Sequence, residues 1–596
     1  MILTKKKSVY TILKSICFGI KICFLASKFY FLMKLIILLS TTAVPLVNTW
    51  LWKEVLNGVA SFSNHQQNVF LCLVFYLILN TSAYLLNQFD NYVSSRYSDA
   101  IRFYIDVKMM EKTARMDMCF FDSAKMADKV RNARNNFEIA MQMTWLVFDV
   151  ISMFINTVAS FIIVCTYKWW VGVVTLLILI PFLMYNKRRA DHKFYMEKQQ
   201  IRDIRKKDYY RDVFFDNNIQ FEIKLNDIGT YFIKKHRTKW ENLYNINKKE
   251  EIKYNIINTL FVIINLLSEF IMLTISIFDV IAQNIGIGDL QYNLSMVSRL
   301  RNQAQSLINR INIFLNNNIR LTELQEFLNM KPVVEQSGNI SPTCNPKVEF
   351  CNVSFRYPNT EQYILKDCSF IINPNEKIGI IGLNGSGKST IIKLLFRFYD
   401  PEKGCIKLDG VDLKEYDVYA VRRVFGVLFQ DYVRYCLPIR EIISLPEFSE
   451  RFNDAKLIKA CELSGANEIF KDWEHRFDTV IGRYYSDEGK ELSGGQWQLV
   501  SLARAYFKDC KYIILDEPSA SLDPISEYAI FEQLYALSTD KTSITISHRL
   551  SNTVLADRIL VLQNGHIIEQ GSHEELLAMR GIYARLFNLQ AHNYNT

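Results

Sequence analysis

The sequence lacks the cysteine spacings that hold structural metal ions. Its twelve cysteines lie scattered from Cys17 to Cys510, with no CxxC pair and no Cys/His cluster. Zinc modules need ligands grouped at short, defined spacings. The sequence therefore excludes a zinc module and indicates a reduced chain that faces the cytosol.

The chain also lacks the overall hydrophobicity of a protein that lies wholly in a membrane. Hydrophobic residues make up 49% of its 596 residues, but the mean hydropathy is only +0.02. A chain of this length exceeds what one hydrophobic core can hold. We therefore expect at least two domains, one in the membrane and one in water.

An excess of acidic residues is absent as well, since the formal net charge is +9. Lys and Arg concentrate between the apolar segments of the first half, where cytoplasmic loops explain them. Nucleic-acid-binding domains instead carry a basic patch or stripe. We expect no nucleic-acid partner.

Five apolar stretches in the first half are close to the roughly 20 residues that a helix needs to cross a bilayer. They cover residues 29–51, 68–86, 145–166, 169–185 and 254–278. The long segments after the second and the fourth stretch hold about nine and about eighteen Lys and Arg residues, whereas the shorter connections hold about one each. This asymmetry predicts that both long loops are cytoplasmic.

A sixth span is needed, because five spans would leave the C-terminal half outside the cell. The candidate is residues 285–315, a stretch far more polar than the others. Its apolar residues, among them Met296, Leu300 and Ala304, recur at helical spacing, which predicts one apolar face and one polar face along a water-filled cavity. The alternative is a cytosolic amphipathic helix.

Polar residues within these stretches share helical faces. One set is Asp149 and Asn156, a second is Asn258, Asn265 and Glu269, and the sixth stretch adds Arg299 and Arg301. Ionisable groups at this depth are costly and usually face a bundle interior or a pathway. The pattern predicts the lining of a transport cavity, and the alternative is pairing between helices.

A soluble domain begins near Val348, after a linker that contains three prolines between 331 and 346. A short apolar strand, 377–381, runs there into GLNGSGKST and a helical segment. This fits G-x-x-x-x-G-K-[ST] in the strand, loop and helix context of a P-loop. The predicted nucleotide-binding residues are Gly382, Asn384, Gly385, Ser386, Gly387, Lys388, Ser389 and Thr390.

Each residue type in this loop has a physical use. Glycines let backbone N–H groups turn inward around phosphate oxygens. Lys388 supplies positive charge toward the β and γ phosphates, and the Ser389 hydroxyl is a ligand for Mg²⁺. The loop therefore predicts ATP and Mg²⁺ as cofactors.

Two further motifs belong to the same chemistry. The strand in KYIILDEP leads to Asp516, a predicted Mg²⁺ residue, and to Glu517, which is placed to polarise the attacking water. Between the motifs stands LSGGQ at the start of a helix, where Ser493, Gly494, Gly495 and Gln496 form a second predicted phosphate site. One domain has only one P-loop, so the second site is predicted to close over a partner's nucleotide.

With these motifs the chain resembles an ATP-binding cassette (ABC) transporter of the fused exporter type, close to bacterial peptide and multidrug exporters. The resemblance implies a membrane all-α six-helix domain followed by a soluble α/β P-loop NTPase domain. The expected limits are a transmembrane domain at 1–325, a linker at 326–347 and a nucleotide-binding domain at 348–596.

The resemblance also implies roles for single residues. Tyr357 in SFRYP would stack on adenine, and Gln430 in VLFQD would contact Mg²⁺ and relay to the membrane domain. His548 in ISHRL would touch the γ-phosphate, and Asp523 follows the catalytic acids in PSASLDP. Ala520 stands where the family commonly has serine, a departure that removes no phosphate-binding group.

The family likeness extends to the long loops, where the segments around Phe121 and Phe221 resemble the coupling helices that contact the cassette. It implies alternating access by a homodimer in the bacterial plasma membrane, with the cassette in the cytoplasm and a peptide as substrate. A lipid flippase or a multidrug exporter of the same architecture is the alternative. A soluble cassette ATPase would need no apolar spans, and an importer usually divides these parts among chains.

Overall fold

The structure is a computed structural model that describes residues 9–60, 66–122, 137–334, 338–358, 360–447, 452–484, 486–516, 541–547 and 550–592. The chain divides into two compact units. The first comprises residues 1–114 and 128–330, and the second comprises 115–127 and 331–596. The second unit therefore includes a short segment of the first long loop.

Long helices build the first unit. In chain order they are α1 (Val9–Ala26), α2 (Lys28–Ala60), α3 (Gln66–Ala114), α5 (Phe137–Asp212), α7 (Gly229–Ile281) and α8 (Ile287–Leu328), with a short helix α6 (Asn217–Leu225) between α5 and α7. Helix α4 (Cys119–Asp122) lies in the short segment that groups with the second unit. Among the described residues, four helices contain stretches long and apolar enough to cross a membrane, in α2, α3, α5 and α7.

Four such helices accommodate five predicted spans because α5 contains two of them. Its backbone leaves the helical region at Lys168 (φ −139°, ψ 95°). A Cβ atom placed on Gly172 would lie 3.0 Å from Cys165 Sγ and 3.2 Å from the Phe161 ring, a proximity that a straight helix does not allow. The chain thus turns back at Lys168, and the stretches 145–166 and 169–185 form a helical hairpin.

The sixth predicted stretch lies in α8, which extends from Ile287 to Leu328 and therefore beyond residue 315. Its apolar face is buried, with Met296 and Leu300 fully enclosed against α5 and α7. Hydropathy alone does not identify α8 as a span, because polar residues lie between the residues of the apolar face along the sequence. Its helical periodicity is confirmed.

The described residues of the second unit form two sheets. One is antiparallel, in the order β2 (Leu365–Ile372), β1 (Val348–Phe355), β4 (Lys403–Leu408) and β5 (Val411–Asp412). The other has the order β10 (His566–Gly571), β9 (Arg558–Gln563), β3 (Lys377–Gly382), β8 (Thr542–Ile546), β7 (Tyr512–Asp516) and β6 (Phe425–Leu428). Its strands are parallel except for the β9–β10 pair.

Two large cores stabilise this unit. The first lies between the sheets and includes α9 (Lys388–Leu395), the helix that follows β3. The second joins α11 (Ile439–Ser444), α12 (Asp454–Ser464) and α14 (Gly494–Phe507). The other α-helices among the described residues of this unit are short: α10 (Val418–Val424), α13 (Asn467–Phe470), α15 (His573–Ala578) and α16 (Ile582–His592).

Candidate functional site

The predicted P-loop connects β3 to α9, as the motif requires. Gly385 and Gly387 adopt φ values of +78° and +110°, which residues with a Cβ rarely adopt. Alternation of left-handed and right-handed residues turns successive N–H groups toward one concave side, the geometry of an anion-binding nest. Gly382 is needed for another reason, since a Cβ there would lie 2.3 Å from Leu562 O.

Lys388 begins α9 and folds its side chain back over the loop. It is 6% exposed, and its Nζ donates hydrogen bonds to Gly382 O (2.9 Å) and Leu383 O (3.2 Å). The hydroxyl of Ser386 is buried and has no hydrogen-bond partner in the described structure. An orphaned buried donor beside a lysine and a nest fits a phosphate group.

Two other predicted residues follow neighbouring strands at the same edge of the sheet. Asp516 ends β7, and Ile380 of β3 and Asp516 both lie opposite Ile546 of the intervening strand. Two strand spacings therefore separate them, about 10 Å. Gln430 comes two residues after β6, which pairs with β7, and its side chain is exposed.

The predicted magnesium residues supply only oxygen ligands, a hydroxyl from Ser389, an amide from Gln430 and a carboxylate from Asp516. Ser389 is exposed and Asp516 is buried at the strand end. Hard oxygen ligands are the set that Mg²⁺ prefers, together with waters and substrate phosphates. The residues present fit this ion.

Tyr357 lies just beyond β1, half-buried, with its hydroxyl 3.2 Å from Thr390 Oγ1 of α9. The aromatic ring predicted to stack on adenine is therefore held beside the helix that follows the P-loop. The exposed residue Asn384 lies within that loop.

The LSGGQ motif starts α14 as predicted. Ser493 caps the helix, because its Oγ accepts from Gln496 N (3.3 Å) while its own N–H donates to Gln496 Oε1 (3.0 Å). Gly494 and Gly495 form the first turn. The motif stands on the helical core, whereas the P-loop helix stands on the core between the sheets, so the two phosphate sites are built on different frameworks.

Three predicted residues, Glu517, Asp523 and His548, lie outside the described residues. The strands that precede two of them are described. Strand β7 ends one residue before Glu517, and β8 ends two residues before His548. Their roles stay predictions.

The structure also brings residues to the site that sequence reasoning missed. The Tyr432 hydroxyl donates to Gly494 O (2.7 Å), which links the segment after Gln430 to the start of the LSGGQ helix. Tyr399 packs edge-on against Tyr357, with ring centroids 5.4 Å apart. No spacing in the sequence indicates either contact.

Comparison with known proteins places this geometry in a family. The family described as ABC transporter matches residues 365–520. The chain is 30% identical to the nisin transport ATP-binding protein NisT of Lactococcus lactis subsp. lactis, over 99% of this chain and 98% of that protein. It is 29% identical to the subtilin transport ATP-binding protein SpaT of Bacillus subtilis, over 98% and 95%.

A solved structure shares the fold over nearly the whole length. It is described as a bacterial Atm1-family ABC exporter with ATP bound, and it superposes with a TM-score of 0.82 at 22% identity. The alignment covers 95% of this chain and 98% of the other. The arrangement of a helical apolar domain before an α/β cassette is therefore confirmed.

Proposed function

This chain belongs to the ABC transporter family, and we propose that two copies of it form an exporter that moves a peptide out of the cytoplasm. The ATP-hydrolysing exporter architecture follows from the family. The peptide assignment is carried by full-length similarity to two proteins named for the transport of nisin and subtilin, both peptides. Similarity over both units matters, because a match of the cassette alone would say nothing about cargo.

The residues of the cassette divide the ATPase work among them. Lys388 and the N–H groups of the loop bind the phosphates, and Tyr357 stacks on the base. Glu517 accepts a proton from the attacking water, and His548 donates a hydrogen bond where charge develops on the γ-phosphate. Ser389, Gln430 and Asp516 would hold a Mg²⁺ ion, which would neutralise phosphate charge when bound.

A second copy completes each site. Ser493, Gly494 and Gly495 stand on a different core from the P-loop, so we assign this second phosphate site to the nucleotide of the partner. ATP bound between two copies stabilises the closed state, and hydrolysis removes that preference. Asp523 belongs to the same predicted interface.

The orientation follows from charge. The loops after the second and fourth spans are basic, which supports a cytoplasmic position for these loops and for the cassette. The relatives NisT and SpaT come from bacteria, which supports the bacterial plasma membrane as the location of the spans. The short helix α6 in the second of these loops exposes Phe221 strongly (85%). We propose that Phe221 contacts a cassette in the assembled dimer.

The first unit contains a groove suited to a polar cargo. It has a volume of about 520 Å³ and lies between α7 and α8, lined by Leu266, Glu269, Phe270, Leu273, Gln291, Leu294, Ser295 and Ser298. Glu269 pairs with Arg301 at 2.9 Å and also accepts from the Ser298 hydroxyl. Apolar and charged groups thus occur side by side, as a peptide requires.

The alternative role for these polar residues is to hold the helices together. Arg299 donates to Asn156 Oδ1 (2.8 Å), and Arg310 lies 3.4 Å from Asp149. These contacts join α8 to α5, so Asp149, Asn156 and Arg299 act between helices in this conformation. Glu269 differs because it also lines the groove.

The experiment is ATPase and transport by the protein reconstituted in lipid vesicles, with panels of peptides, lipids and apolar drugs. Peptides are expected to stimulate ATP hydrolysis and to accumulate inside inverted vesicles. Stimulation and transport of lipids or drugs, with none for peptides, would show that the chain is a flippase or a multidrug exporter instead.

A further inference from the structure

The short segment 115–122 of the first long loop is built into the cassette unit. The Asp117 carboxylate accepts hydrogen bonds from the backbone N–H groups of Val333 (2.5 Å) and Val334 (3.1 Å). Met118 and Cys119 pack against the core between the sheets. The segment is therefore anchored by the hydrogen bonds of Asp117 and by the packing of Met118 and Cys119. These contacts limit the positions that Asp122, three residues after Cys119, can take.

Asp122 contacts two side chains that belong to the P-loop helix and its continuation. It accepts a hydrogen bond from the Tyr399 hydroxyl, and its carboxylate lies 3.9 Å from Lys393 Nζ. Burial, and next the contact with Asp122, raise the pKa of Tyr399. The phenol therefore stays protonated and keeps donating to Asp122 throughout the physiological pH range.

Both partners of Asp122 touch Tyr357. The Tyr399 ring meets the Tyr357 ring edge-on at 89°, and Lys393 Nζ lies 5.1 Å from the centroid of the Tyr357 ring. Edge-to-face contact and a cation over the ring are both orientation-dependent. Phe355 and Thr390 also contact Tyr357, so Tyr399 and Lys393 are two of the groups that orient its ring. Asp122 contacts both of these two groups.

We propose that Tyr399 is a positioning residue for the adenine-stacking ring of Tyr357, and that Asp122 of the first long loop holds Tyr399 in place. The inference rests on the proposed role of Tyr357. It predicts that these residues change how tightly the base is bound rather than how fast bound ATP is cleaved, because Tyr399 contacts the ring proposed to stack on the base and Asp122 contacts Tyr399. It also ties the loop between the second and third spans to the base end of the site.

The test uses the full-length protein in lipid nanodiscs, with steady-state ATPase as the assay. Tyr399→Phe keeps the ring and removes only the hydroxyl. We expect it to raise the KM for ATP by about three- to tenfold, the effect of one lost hydrogen bond, with kcat changed less than about twofold. Asp122→Ala should raise the KM at least as much, because it also releases Lys393. The double variant should be no worse than Asp122→Ala alone, because Asp122→Ala already removes the bond to the Tyr399 hydroxyl.

Tyr416→Phe is a matched control. Tyr416 is 4% exposed and Tyr399 is 5% exposed, and the Tyr416 hydroxyl also donates one hydrogen bond, to Leu408 O at 2.8 Å. Loss of the Tyr416 hydroxyl should lower the thermal midpoint about as much as loss of the Tyr399 hydroxyl, and it should leave the KM for ATP unchanged. An equal fall in stability for both variants, with no change of KM in either, would overturn the positioning role.

Tyr357→Ala separates this inference from the function on which it rests. If Tyr357→Ala raises the KM for ATP but Tyr399→Phe and Asp122→Ala do not, Tyr357 binds the base without their help and only the inference fails. If Tyr357→Ala itself leaves the KM unchanged, the adenine-stacking role of Tyr357 is wrong, and the positioning role falls with it.

Discussion

Lys388 offers a sharp test of the phosphate site, because its role in ATP binding can be separated from its role in the fold. The change is Lys388→Met, which keeps an unbranched side chain of similar length and removes the ammonium. In the structure that ammonium is buried and donates to two carbonyls, Gly382 O and Leu383 O. The variant therefore loses two hydrogen bonds to carbonyls of the loop, and it loses the positive charge that is proposed to bind the phosphates.

The two losses have different sizes. A hydrogen bond to a charged group contributes about 1.5–3 kcal/mol, so ATP affinity should fall by roughly 10- to 150-fold. Leaving the carbonyls without the donor costs about 1–3 kcal/mol, but removing a buried ammonium recovers part of its desolvation cost. We expect a net loss of stability of about 1–2 kcal/mol, or a few degrees in the thermal midpoint.

Lys508→Met is the matched control. Lys508 Nζ donates to the carbonyls of Arg422 and Phe425, both at 2.6 Å, so it repeats the pattern of one ammonium on two carbonyls in the same unit. Burial lowers the pKa of Lys508, which shows that this ammonium also bears a desolvation cost. Lys508→Met should cost about the same stability as Lys388→Met.

The assay is equilibrium binding of a fluorescent ATP analogue, together with thermal unfolding of the same detergent-solubilised samples. Lys388→Met should lose affinity and a few degrees, whereas Lys508→Met should lose only the few degrees. Equal ATP affinity in the two variants would refute the assignment of Lys388 to the phosphates. A loss of affinity in both would show that the effect comes from general destabilisation of the cassette.

Three further predictions concern catalysis, assembly and cargo. Glu517→Gln should bind ATP normally and lower the turnover by at least about 100-fold, because it removes the base that activates water; ATPase rates equal to the parent would sink the assignment. The purified protein should hydrolyse ATP with no other cassette protein added, since it carries both halves of the composite site; activity that appears only with a second, different subunit would exclude the homodimer. Glu269→Gln should reduce cargo-stimulated ATPase. Its control is Asp289→Asn, which breaks a 2.9 Å ion pair to Lys53 outside the groove and should lower only thermal stability. Arg299→Gln should behave like Asp289→Asn, and a change of cargo selectivity in Arg299→Gln would contradict the helix-joining role.

The local parts of the site could be predicted from the sequence because their chemistry is local. The P-loop follows from glycines that need positive φ between a strand and a helix, and the structure has Gly385 and Gly387 in that conformation. The helix start at Ser493 follows from a cap and its partner three residues on. Such signals need only neighbouring residues, so one sequence suffices.

Contacts between distant residues could not be predicted in the same way. Tyr399 and Asp122 are 277 positions apart, and Glu269 and Arg301 lie on different helices. The sequence placed the loop contact in the segment around Phe121, and it is Met118, Cys119 and Asp122 of that segment that make contacts, whereas Phe121 itself is exposed. Helical spacing fixes which residues share a face but not which face meets which partner.

The ion pair between Glu269 and Arg301 favours a peptide over other cargoes, because a bound cargo that separates the pair must replace both ionic partners. The pair is partly buried, with side chains 23% and 15% exposed, so a cargo that separates it leaves two partly desolvated charges without partners. A purely apolar drug or an acyl chain offers nothing to replace either partner, and its binding would have to leave the pair intact. A peptide carries amides and charges of both signs beside apolar side chains, so it can replace each partner while it fills the apolar part of the groove.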